Sequence, residues 1–131
     1  MVMQQERKML ERAVAVVNDH PRDITFSYDR DSDTMMVHFF GTPRPAVSIS
    51  IDDPDDALHV RLDRAADEVV GLQIEGFLTR FIFRHPDWAD PLSTARLRGI
   101  TREDAVAAAA QARHQRHQVA AVTDLLERLI A

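Results

Sequence analysis

Between Ile24 and Glu75, apolar side chains recur at every second position in five short runs, separated by turns rich in Asp, Gly and Pro. A period of two sends successive side chains to opposite faces of an extended chain. Such runs can bury an apolar face only as strands of a sheet. The first run is Ile24–Tyr28, with Ile24, Phe26 and Tyr28 on one face. In the second, Thr34–Phe40, Met35, Val37 and Phe39 alternate with Met36, His38 and Phe40. Both of its faces are fairly apolar, which predicts a central strand covered on both sides. Ala46–Asp52 turns Val47, Ile49 and Ile51 inward and Ser48 and Ser50 outward. Ala57–Asp63 sets Leu58, Val60 and Leu62 against His59 and Arg61, and Glu68–Glu75 sets Val70, Leu72 and Ile74 against Gly71, Gln73 and Glu75. Four short connections between five strands predict an antiparallel meander.

Helical periodicity flanks these runs. Leu10, Val14 and Val17 mark a helix over residues 3–18, which stops at Asn18-Asp19-His20-Pro21. Gly76 marks a bend before a short helix, Phe77–His85, and residues 86–99 read as a linker. Thr101 and Asp104 then form a box-like cap on a helix running to about Leu129. That helix carries a seam of two heptad series: Ala105, Ala112, Val119 and Leu126, beside Ala108, Gln115, Val122 and Leu129. A helix of about 40 Å is longer than a five-stranded sheet needs as a cover. Val119, Val122, Leu126 and Leu129 are therefore expected to bury against a symmetry mate or another protein.

The expected fold is α+β: a five-stranded antiparallel meander packed with an N-terminal helix, a short helix and a long C-terminal helix. The 131 residues suit a single domain. Residues 21–85 form its sheet-rich core, and residues 101–131 form the candidate oligomerisation element.

Charge and composition narrow the function. Residues 1–20 and 101–131 are each charge-balanced, so the whole net charge of −5 lies in residues 21–100. A broad positive surface for nucleic acid is not visible. No apolar run approaches the roughly 20 residues of a membrane-spanning helix. The chain has no cysteine, which removes thiolate ligands and disulfides and suits a reducing cytoplasm. No cofactor motif is present: the four glycines are isolated, and none frames a serine.

Several clusters invite a chemical reading. Asp29, Asp31 and Asp33 have the opening spacing of a calcium loop, but Thr34 and Phe40 stand where glycine and glutamate are required, so they read as turn formers. Asp52, Asp53, Asp55 and Asp56 surround Pro54 and form the densest acidic tip, a candidate contact for a basic partner. His114 and His117 lie three apart on the long helix with no local third ligand. A Glu75–His38 or Asp63–His59 pair could do acid–base work if folding built a pocket around it.

The segment Tyr28-Asp29-Arg30-Asp31-Ser32-Asp33-Thr34-Met35-Met36-Val37 resembles the opening motif of the small, mostly bacterial family called domain of unknown function 2283. Asp63 to Phe77, with its Val69-Val70-Gly71 strand and terminal Glu75, is similar to that family's second motif. The likeness covers about residues 24–77, and Met35-Met36 replaces a common leucine–tyrosine pair. The resemblance implies a compact antiparallel sheet with a helix, no established catalytic residues, and for some members an antitoxin-like partnership. The expected function is a non-enzymatic, self-associating structural or interaction domain. The alternatives are an acidic binder of a basic protein and a small metal-dependent hydrolase using His38, His59, Asp63 and Glu75.

Overall fold

All five alternating runs form strands, but they are not joined as a meander. The structure, a computed structural model, describes residues 4–53 and 55–130, with the side chains of residues 4, 113, 115–120, 123 and 127 left out. The strands are β1 (Thr25–Asp29), β2 (Thr34–His38), β3 (Val47–Ser50), β4 (Ala57–Asp63) and β5 (Glu68–Glu75). A further strand, β6 (Arg96–Arg98), lies in the stretch expected to be a linker. Among the described residues they form one six-stranded sheet in the order β3-β4-β5-β2-β1-β6. Every pairing is antiparallel except β1 with β6, which is parallel.

The expected five-stranded antiparallel meander is therefore corrected to a six-stranded mixed sheet. The physical reason is that a period of two fixes the faces of a strand, not its neighbours. Gly41-Thr42-Pro43-Arg44-Pro45 carries the chain away from β2, so β3 forms the far edge and β5 takes the place beside β2. β6 is only three residues long, too short to show a period, and exists through its pairing with β1.

The register places Phe26, Tyr28, Met35, Val37, Leu58, Val60, Leu72 and Ile74 on one face. The helices pack on this face. α1 (Gln4–Asp19) covers Val37, Val60 and Val69 with Met9, Leu10, Ala13, Val16 and Val17. Tyr28, Met35 and Ile74 meet Phe77 and Phe81 of a π-helical turn (Phe77–Phe81) and Ile82 of α2 (Ile82–Arg84). A 3-10 turn (Pro86–Trp88) leads into α3 (Ala89–Thr94), which adds Leu92. α4 (Arg102–Ile130) docks on this cluster through Ala105, Ala109 and Ala112. These three alanines are fully buried, and their small side chains let the helix approach closely. β2 is central, as expected, but is covered on one face only.

The acidic turn between β1 and β2 is a structural anchor. Asp33 Oδ1 accepts a hydrogen bond from the buried Tyr28 hydroxyl at 2.5 Å and one from the Leu78 amide at 2.9 Å. Its Oδ2 accepts from the Thr79 amide and hydroxyl at 3.2 and 2.8 Å. Amides at the start of a helical turn lack partners within it, and Asp33 supplies them. Burial pushes the Tyr28 phenol well up, and the Asp33 hydrogen bond pushes it further.

Candidate functional site

Among the described residues, no helix packs on the opposite face of the sheet. Its residues are those that the strand alternation turns away from the core: Ser27, Met36 and His38 in the centre, Gln73, His59 and Arg61 toward β4, and Arg96 and Arg98 on the β6 edge. A groove of about 1060 Å³ runs across it over β1, β2 and β6. A smaller cavity of about 290 Å³ lies at its other end beside Ser50, His59, Glu75 and the acidic tip.

Two histidine clusters form here. His38 Nε2 is 2.8 Å from Ser27 Oγ. Among the described residues, His38 is the only polar residue buried as a whole. Burial lowers its pKa, and the Arg61 and Arg96 charges lower it further, so the ring is held neutral. In the second cluster, Ser50 Oγ is 3.1 Å from His59 Nδ1, and His59 Nε2 is 3.3 Å from Glu75 Oε2. The Nε2 atom is buried and meets Glu75 off the axis of a hydrogen bond, so the contact is electrostatic. Arg61 donates to Ser48 Oγ at 2.8 Å, Ser48 donates to Gln73 Oε1 at 2.8 Å, and Gln73 donates to Glu75 Oε1 at 3.2 Å. This chain of bonds ties β3, β4 and β5 together on the open face.

The structure thus brings together His59 and Glu75, where the sequence reading paired Glu75 with His38 and Asp63 with His59. Asp63 instead meets Arg44 at 2.9 Å, and the Ala66 amide and Arg44 lower its pKa. β5 separates the strands of His38 and His59. Ser50–His59–Glu75 has the connectivity of an acid–base relay. The relay is incomplete, however, because the His59–Glu75 link is not a hydrogen bond, and the cavity is lined by Asp53, Asp55 and Asp56 together with a single cationic residue, Arg80. Among the described residues, no group of three or more His, Asp or Glu side chains converges as metal ligands would.

The acidic tip is built into the fold. Asp53 Oδ1 accepts the Asp55 and Asp56 amides at 2.8 and 3.1 Å. The Asp52 amide donates to Glu6 of α1. The Asp56 side chain is only 7% exposed and pairs with Arg84 and with His85 Nε2, the latter at 2.8 Å. Burial works to raise the Asp56 pKa, but the hydrogen bonds from Arg84 and His85 outweigh it, and the carboxyl titrates below its ordinary value. Two of the four carboxylates therefore serve turn geometry and an internal ion pair.

These shifts set a pH dependence. A base whose pKa is depressed by folding takes up its proton first in the unfolded chain. Stability due to neutral His38 is complete above the ordinary value of 6.5 and is lost as pH falls from there through the folded pKa. The Asp56 contribution is complete above 3.8 and is lost below it. Urea midpoints between pH 8 and pH 3 should fall in two steps, and the His38→Gln variant should lack the upper one. An unchanged upper step in that variant would show that another group causes it.

The remaining candidates lie on α4. Val122, Leu126 and Leu129 are 58%, 52% and 73% exposed. Leu125 is exposed beside them. The side chains of Val119 and His117 lie outside the described residues. Among the described residues, no helix is long and apolar enough to cross a membrane. The chain matches no family model, no curated protein and no solved structure.

Proposed function

We propose that this chain is a non-enzymatic interaction domain that associates with a second copy of itself through the distal half of α4. The observation that carries the reading is the split in that helix. Its first turns dock through Ala105, Ala109 and Ala112, whereas Val122, Leu125, Leu126 and Leu129 form an exposed apolar stripe at positions i, i+3, i+4 and i+7. A stripe at that spacing is one face of a helix. Burying each side chain fully would contribute about 1.5–3 kcal/mol. Residues 101–131 carry equal numbers of acidic and basic side chains, so two copies can meet without net repulsion. The likeness of the Tyr28–Val37 and Asp63–Phe77 segments to domain of unknown function 2283 belongs to the same proposal, since that resemblance implies no catalytic residues.

Sedimentation equilibrium tests the reading. The wild type is expected to run as a dimer, and Val122→Asp and Leu126→Asp as folded monomers with unchanged circular dichroism per residue. A wild type that is folded and monomeric at about 0.1 mM overturns it.

A further inference from the structure

The groove on the open face gathers cations around a buried neutral ring. Arg96 and Arg98 alternate along β6 and both line it. No hydrogen bond or ion pair ties either guanidinium to a described residue. Ser27 lies opposite Arg96 in the parallel β1–β6 register and holds His38 at 2.8 Å. On the other side of His38 stands Gly71, and beyond it Arg61. With no side chain at Gly71, the Arg61 charge reaches the ring from that side as Arg96 does from the other. Asp29 stands directly opposite Arg98 in the β1–β6 register, but its carboxylate accepts the Asp31 amide of its own turn; Glu75, the groove's other acidic residue, is engaged by Gln73 and His59. Arg102, at the groove's rim, is bonded to the carbonyls of Leu92, Ser93 and Ala95. Arg96 and Arg98 are thus left facing the groove without a counter-charge in contact.

We propose that this groove is a binding site for a small organic oxyanion, a phosphate ester or a carboxylate, held by Arg96, Arg98 and the Ser27 hydroxyl beside His38. Guanidinium forks match both oxyanions in two-pronged geometry, and such charge-assisted bonds are stronger than neutral ones. In this arrangement His38 Nε2–H donates to Ser27 Oγ, which fixes the hydroxyl and leaves its own hydrogen to donate to the oxyanion. A volume of about 1060 Å³ leaves room for the organic part of the ligand over Met36 and Thr34. α4 reaches this site only through Arg102 in its first turn, about five turns before Val122, so the site stands or falls independently of self-association.

The test is a titration of the isotopically labelled full chain at low ionic strength, where screening is weakest. The probes are inorganic phosphate, phenyl phosphate and benzoate. Saturable amide shifts on β1, β2 and β6 are expected with at least one organic probe at millimolar concentration or below. The Arg96→Gln/Arg98→Gln double variant should bind about tenfold more weakly, and Ser27→Ala a few-fold more weakly. Tighter binding of phenyl phosphate assigns the site to phosphate esters, and tighter binding of benzoate assigns it to carboxylates. Shifts that stay linear, or that saturate equally in a double variant whose remaining spectrum matches the wild type, overturn the proposal. If the double variant loses its native spectrum, Arg96→Lys decides instead. It keeps the charge but not the fork, so equal binding of every probe by this variant and the wild type also overturns the proposal.

Discussion

Asp33→Ala is expected to lower the unfolding free energy by about 3–5 kcal/mol, the range of the most damaging single substitutions. Four hydrogen bonds end on this one carboxylate. Bonds to a charged group contribute about 1.5–3 kcal/mol each, though not additively. Removing the carboxylate strands the Tyr28 hydroxyl, whose residue is 1% exposed. It also strands the Leu78 and Thr79 amides of the Phe77–Phe81 turn, on which Phe77 and Phe81 depend for their place in the core. Asp33 adopts φ 50°, where alanine is less well tolerated than aspartate or asparagine. Asp33→Asn keeps that tolerance and one acceptor oxygen, so it should lose about half as much. Urea denaturation measures both. A loss below about 1 kcal/mol for the alanine variant would mean that the turn is held by packing alone.

Gly71→Ala is expected to cost about 3 kcal/mol or more, at the upper end of overpacking effects. A Cβ at this position would stand 2.3 Å from the Val37 carbonyl oxygen, a backbone atom of the paired strand. The clash cannot be relieved by turning a side chain, so β2 and β5 must separate. Gly41 provides the contrast. Its φ of +84° strains an alanine, but the nearest atom to a Cβ is 3.6 Å away. Gly41→Ala should cost only about 1 kcal/mol. Thermal melts of the two variants test the order. Equal losses would show that strain at φ, rather than the contact with Val37, sets the cost.

The faces of the strands were legible in the sequence, because alternation is a local property. Ser48, Ser50, His59 and Arg61 do all turn away from the core, as their positions require. The strand neighbours were not legible, because nothing within β2 distinguishes β5 from β3 as a partner. The site was hidden by register rather than by strand order. β1–β2 and β4–β5 are neighbours in a meander too, but the sequence does not show which of their residues meet, so the Ser27–His38 and His59–Glu75 contacts were not readable. Ser27 carries no motif of its own. Its signal is parity: it alternates with Phe26 and Tyr28, and polar residues of that parity on successive strands describe an uncovered face. The role of Gly71 as a point of close approach was readable from a glycine inside a strand. The identity of the approaching atom, the Val37 carbonyl, was not.

The β2–β5 pairing also has a consequence for how the chain reaches this state. β1–β2 and β3–β4–β5 are each built from sequence neighbours and can assemble with little loop-closure entropy. Joining them brings together residues as distant as Thr34 and Glu75. That step raises the contact order and is the natural bottleneck in folding. Until it is complete, β2 and β5 each present an open edge rich in Val, Met, Leu and Ile, the kind of surface that recruits other chains into aggregates. Conditions that slow this closure should therefore reduce the yield of folded protein before they reduce the stability of what has folded.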